Sequence, residues 1–218
     1  MSDYITSVDE TYRNESGDIY MGVRGTTGTR IFLDNPDPAA FQPDPVARSL
    51  SHIRRYAGNY SDYTVAQHAC LVAEVVLRHG GIPPQVLAAL HHDDGEIVTS
   101  DMPSPVKAWL RTRTDAMDFL EAKLGCAIEA RYQVDLRDPL VRWADKAVFA
   151  FEVKRIVPPE ARWMYEPLPD TGELFMPYNL FTPWSADEAY AKYMDIHEQL
   201  VDKIDQARVT EEFTNGAS

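Results

Sequence analysis

The sequence predicts a mainly α fold, a helical bundle preceded by a small N-terminal β-hairpin, on three observations. From residue 46 onward apolar residues recur at three-and-four spacing, and several of those stretches open on Ser, Thr, Asp or Pro, the residues that start helices. The opening segment alternates instead, as a strand does. A length of 218 residues suits one filled core better than two. The expected division is residues 1–45 for the hairpin and a proline-rich connector, 46–210 for the helical domain and 211–218 for a flexible tail.

Taken in order, DIYMGVRGTTGTRIFL places Gly25 to Gly28 between two short runs, which is hairpin chemistry with a glycine turn. No Gly-Lys-Ser/Thr follows, so it is not a phosphate loop. Residues 34–45, DNPDPAAFQPDP, hold four prolines and read either as an ordered connector anchored by Phe41 or as a plain surface loop. Thr64 with Gln67 is a capping-box signature, and Val65, Leu71, Val72, Val75 and Val76 keep to one side of the helix it opens until Gly80 and Gly81. A second helix starts at Pro83 or Pro84 and should end near Gly95, with His92 and Asp93 in its last turn. Periodicity returns between Thr114 and Tyr132, and Asp138 with Pro139 caps the helix LVRWADKAVFAFEVKRIV. Residues 158–184 carry prolines and aromatics without periodicity, and Ser185 with Glu188 caps a last helix reaching about Arg208 before the fraying tail EEFTNGAS.

Composition is that of a globular chain, at 44% hydrophobic and 25% charged, and no apolar run is long enough to span a bilayer, so no membrane role is expected. The acidic, polar start lacks the basic and apolar regions of a secretory signal, which makes a cytoplasmic location the expectation. Cys70 and Cys126, the two cysteines, fall on apolar helix positions as small buried hydrophobes. A net charge of −13 opposes a nucleic-acid polymer as partner, although a metal and local arginines can still hold a small anionic substrate.

The chemistry concentrates in His68, His92 with Asp93, and Asp145. Two imidazoles and two carboxylates form a donor set for one divalent transition metal, with manganese, cobalt, iron, nickel and zinc all suited to it. Glu96 follows His92 by one helical turn and stands free of the set, which adds a catalyst to a binding site. Asp145 sits among Trp143, Ala144, Ala147, Val148 and Phe149, where an ionised carboxylate needs a partner or a metal, unless Arg142 and Lys146 mark a solvent face that it shares. His92 and Asp93 diverge by about 100° on a regular helix, so both reach one ion only where the helix ends. His91 would face elsewhere, and His52, His79 and His197 read as ordinary histidines.

Three segments, AQHACLVAE, LHHDDGEIVTSDMPSPVK and RWADKAVFAFE, resemble the HD-domain metal-dependent phosphohydrolases across about residues 48–155. The likeness is greatest to the 5'-deoxynucleotidase branch, and it extends to phage dATP triphosphohydrolases. The resemblance implies an HD-type helical fold, His68, His92, Asp93 and Asp145 as metal ligands, and Glu96 as the residue that orients or deprotonates the attacking water. It implies Asp101 as acceptor for a sugar hydroxyl, and Arg55 with Tyr56 as counterpart of the branch's arginine and tryptophan. Arg55 can neutralise phosphate charge, and Tyr56 can stack on a base or serve as a core aromatic. The expected activity is hydrolysis at the α-phosphorus of (deoxy)nucleotides, favouring a 5'-nucleotidase that frees phosphate from monophosphates. A dNTP triphosphohydrolase is the alternative, with Arg54, Lys107, Arg111 and Arg113 as added phosphate cations, or else a solvated helix face, and magnesium on the substrate phosphates. A non-catalytic nucleotide-binding module is the second alternative. A homo-oligomer is the assembly the resemblance implies.

Overall fold

Helix α2 (Val65–Arg78) organises the rest. Its start is the one the capping residues specify: Thr64 Oγ1 accepts from the Gln67 amide at 3.2 Å. The Gln67 side chain, however, does not return to the cap. Its amide donates to Leu180 O at 3.0 Å and Thr182 O at 2.9 Å, and its Oε1 accepts from Trp184 N at 3.0 Å. The second half of the capping signature thus pins the proline-rich segment over α2. Nor does α2 keep one apolar side, because every residue from Val65 to Ala73 is buried. Helices α3 (Pro83–His91), α7 (Pro139–Arg155) and α8 (Ala186–Asn215) pack around it, which turns an expected amphipathic helix into the centre of the bundle.

This computed structural model describes residues 18–22, 30–172, 174 and 176–215. Strands β1 (Tyr20–Gly22) and β2 (Arg30–Phe32) pair antiparallel, with Met21 opposite Ile31, so the hairpin is present, while the Gly25 to Gly28 turn lies outside the described residues. The N-terminal part joins the main core: Ile31 and Phe41 are fully buried in it, and Tyr132 Oη donates to Phe41 O at 2.8 Å. The helical part opens at α1 (Pro43–Leu50), slightly before residue 46, and α1 lies against α8.

Helix α6 (Ala116–Tyr132) matches its periodicity, and α7 starts at the expected Asp138, whose carboxylate accepts from Leu140 N at 2.8 Å. Ser185 and Glu188 close both halves of a capping box ahead of α8, at 2.8 and 3.2 Å. That helix runs through Asn215, beyond the expected Arg208 end, and Leu200 and Ile204 carry its apolar face into the core. Two further helices, α4 (Glu96–Thr99) and α5 (Ser104–Arg111), lie between α3 and α6. Cys70 is buried, and burial pushes its thiol up to about 12, but Cys126 is exposed and is not the buried hydrophobe expected. Among the described residues no helix is long and apolar enough to cross a membrane.

Candidate metal centre

Three elements bring the metal-type residues together. His68 is in the first turns of α2, His92 caps the C-terminus of α3, and Asp145 is midway along α7. Their ligand atoms lie within 4.8 Å of one another. His68 Nε2 is 3.3 Å from His92 Nε2 and 3.2 Å from Asp145 Oδ1, which is 3.7 Å from His92 Nε2. Asp93 Oδ2 joins them at 3.6 Å from His68 Nε2 and 3.3 Å from His92 Nε2.

Helix α3 ends at His91, four residues before the Gly95 end expected. Gly95 has φ −60°, so it is no left-handed stop. Asp94 instead ties back to His91 Nδ1 at 2.7 Å across one tight turn, and Glu96 N bonds Asp93 O at 2.9 Å. This early end frees Asp93 from helical geometry and lets adjacent residues face one point.

Each imidazole is oriented from behind. His68 Nδ1 meets Glu152 Oε1 at 2.6 Å and His92 Nδ1 meets Ala89 O at 2.7 Å, so both Nε2 atoms face the shared point. Burial disfavours charge on His92, but Asp93 and Asp145 outweigh it and its imidazole is raised to about 10. Burial also pushes Asp145 up, yet hydrogen bonds from His68 and His92 hold its carboxyl well below the usual range. A point that favours positive charge this strongly, ringed by nitrogen and oxygen donors, suits a divalent cation. His68, His92 and Asp145 could hold such an ion, with Asp93 within reach.

Glu152 is the residue that sequence reasoning missed. It is fully buried, two helical turns after Asp145 on the same face of α7, and besides His68 it accepts from Arg55 Nε and from Tyr56 Oη, each at 3.1 Å. Burial would raise it, but Arg55 and His68 hold it down at about 2. The desolvation reasoning applied to Asp145 fits Glu152 better, since the Asp145 side chain is 39% exposed to the cleft and that of Glu152 is closed off. Glu152→Ala leaves Arg55 and His68 buried without their carboxylate and should cost about 3–5 kcal/mol of folding stability. Urea unfolding of the purified variant measures it, and an unchanged midpoint would contradict the assignment.

Arg55, expected at a substrate phosphate, is also built into this network. Besides Glu152 it faces Asp93 Oδ2 at 3.4 Å and Asp101 Oδ1 at 3.8 Å. Tyr56 is a core aromatic, edge-on to Tyr165 at 5.6 Å. Its backbone and that of Ala57 are left-handed, at φ 58° and 53°, a conformation costing about 1–2 kcal/mol per residue that is held by the bonds to Glu152 and to Asp101.

A cleft of about 270 Å³ opens over these groups, lined by Arg55, Asp93, Glu96, Asp101, Lys107 and Asp145 among others. Glu96 is nearly buried, its Oε2 has no hydrogen-bond partner, and burial followed by Asp93 pushes its carboxyl well above the usual range. Lys107 pairs with Glu121 at 3.0 Å at the cleft edge. Lys146, which with Arg142 offered the alternative of a solvent face shared by Asp145, also lines the cleft. Arg54, Arg111 and Arg113 do not line it: Arg54 pairs with Asp62, Arg111 with Asp118, and Arg113 lies over Trp109.

No protein-family model matches the chain. An uncharacterized protein of Rhodobacter capsulatus is 38% identical over 91 residues, which cover 39% of this chain and 46% of that protein. The match therefore spans less than half of that relative's length.

Proposed function

We propose that the protein is a metal-dependent phosphohydrolase of the HD-domain type that acts at the α-phosphorus of nucleotides, with phosphate release from (deoxy)nucleoside monophosphates as its favoured reaction. The observation that carries this reading is the convergence of His68, His92 and Asp145 from three helices beside the partnerless Glu96 carboxylate. A divalent ion held there supplies Lewis-acid activation of water and of a phosphoryl oxygen. Glu96 holds the attacking water in line and takes its proton, the role for which a raised carboxyl pKa suits it. A new phosphorus–oxygen bond forms from water, the bond between phosphorus and the nucleoside oxygen breaks, and that oxygen leaves with a proton.

Arg55, which lines the cleft with its Nε fixed by Glu152, neutralises charge on the phosphate. Asp101 accepts from a sugar hydroxyl, and Tyr56 contributes the cleft wall beside it. The positions of the basic residues favour a monophosphate over a triphosphate. Besides Arg55 the cleft has Lys107 and Lys146 as cations, whereas Arg54, Arg111 and Arg113 are held elsewhere.

Product analysis tests the reading. The purified protein, with manganese or cobalt, is offered nucleoside mono- and triphosphates. Orthophosphate from monophosphates is the predicted outcome. Intact triphosphate would favour the triphosphohydrolase, and binding of metal and nucleotide without products would favour a non-catalytic module.

A further inference from the structure

The cleft over the metal-type residues mixes two kinds of lining. Asp93, Glu96, Asp101 and Asp145 make part of it strongly acidic, whereas Phe149 and Tyr165 bring two aromatic rings for which the hydrolytic chemistry has no use. Both rings are only partly buried. They pack against a small satellite core around Val153 and Val157, and the surface left over lines the cleft. Aromatic surface kept open in a pocket is a place for a flat, apolar-faced group.

Phe149 is set by the helix that also sets a metal-type carboxylate. It lies four residues after Asp145 on α7, on the same face and about 6 Å further along the axis. Tyr165 ends a 3-10 helix, Pro159–Tyr165, that Arg162 straps to the end of α7. Arg162 Nη2 donates to Lys154 O at 2.9 Å and Arg162 Nε to Val157 O at 3.0 Å, so one guanidinium satisfies two carbonyls there. Tyr165 is thereby held edge-on to Phe149, with ring centroids 6.0 Å apart, and edge-on to Tyr56 at 5.6 Å. Tyr56 itself is 6% exposed and its hydroxyl is committed to Glu152, so it supports the pair and offers the cleft little ring surface.

We propose that Phe149 and Tyr165 form the platform on which the base of the nucleotide rests, and that they select a nucleotide over a phosphate ester without a base. The inference rests on the nucleotide reading of the metal site and adds residues which that reading leaves out. One sugar separates phosphate from base in a nucleoside monophosphate, and one helical turn separates Asp145 from Phe149 in the cleft. With the phosphate at the metal-type residues and a sugar hydroxyl at Asp101, the base comes over the two rings. Stacking asks only for a π-face, which every base has.

The test separates base from phosphate. Deoxyadenosine carries base and sugar but no phosphate, cannot be turned over and needs no metal. Titrated into chelator-treated full-length protein, it should shift the ring signals of Phe149 and Tyr165 saturably in the NMR spectrum, and deoxyribose alone should not. Phe149→Leu combined with Tyr165→Leu, which keeps apolar volume, should weaken the nucleoside by about tenfold or more, and Tyr165→Phe, which keeps the ring, should bind it as the unsubstituted protein does. With manganese, the double variant should lose about tenfold or more in kcat/KM for deoxyadenosine monophosphate and nothing for deoxyribose 5-phosphate. Phosphate released from neither ester, with the ring shifts intact, would sink the hydrolase reading and leave the platform standing. Undisturbed rings, full binding by the double variant, or an equal loss on both esters would each overturn the assignment.

Discussion

Asp145→Ala is expected to lose bound divalent metal and turnover together while still folding cooperatively. Asp145 Oδ1 faces both imidazole Nε2 atoms, so its removal takes away an anionic donor and the charge that draws a cation to them. Losing a partner outside the donor set commonly costs 10–100-fold in metal affinity, and loss of a donor should exceed about 100-fold. Folding should survive, since the side chain is partly open to the cleft and α7 keeps its apolar contacts and Glu152. Metal analysis after dialysis, circular dichroism and a turnover assay on one preparation separate the effects. A folded variant that retains stoichiometric metal would remove Asp145 from the donor set.

Glu96→Gln should have the opposite signature, with metal retained and turnover reduced by about 10²–10⁴-fold. The side chain lies outside the group formed by His68, His92 and Asp145, so neutralising it leaves the donors in place. On the proposed reading, what disappears is the proton acceptor in the cleft. A glutamine preserves shape, and it relieves a buried carboxylate whose Oε2 has no partner, so thermal stability should hold or rise. Near-normal turnover with metal present would show that another group handles the water.

Much of this site was legible because residue type carries the chemistry. Histidines and carboxylates at positions 68, 92, 93 and 145 could be suspected of sharing a cation before any distance was known, and three of them converge as a possible metal group with Asp93 alongside. Helix starts were legible for a similar reason, since Thr64, Asp138 and Ser185 cap through local bonds that depend on the neighbouring sequence. Interactions over long separations were not. Glu152 differs from Asp145 in the partners that Arg55 and Tyr56 supply beside His68, 84 or more residues away, although the seven-residue spacing along one helix face was a usable signal. The end of α3 was misplaced because Gly95 suggested a backbone stop where the Asp94 side chain does the work. Cys126 was assigned to the interior from an apolar position on a helix whose outer face the bundle leaves uncovered.

Arg55 shows how the proposed phosphate-binding role would share one side chain with a structural one. Its guanidinium links Glu152, which orients His68, to Asp93 and Asp101 at the cleft. The buried network thus ties the folding of the 55–58 turn to the geometry of the metal-type residues, and a change at either end should be felt at the other.

Hydrolysis in ¹⁸O-labelled water tests the central proposal most directly. With manganese or cobalt and a nucleoside monophosphate, the label should enter the released phosphate and not the nucleoside, and chelator should abolish product. Label in the nucleoside, or product formation indifferent to chelator, would contradict water attack at phosphorus dependent on His68, His92 and Asp145.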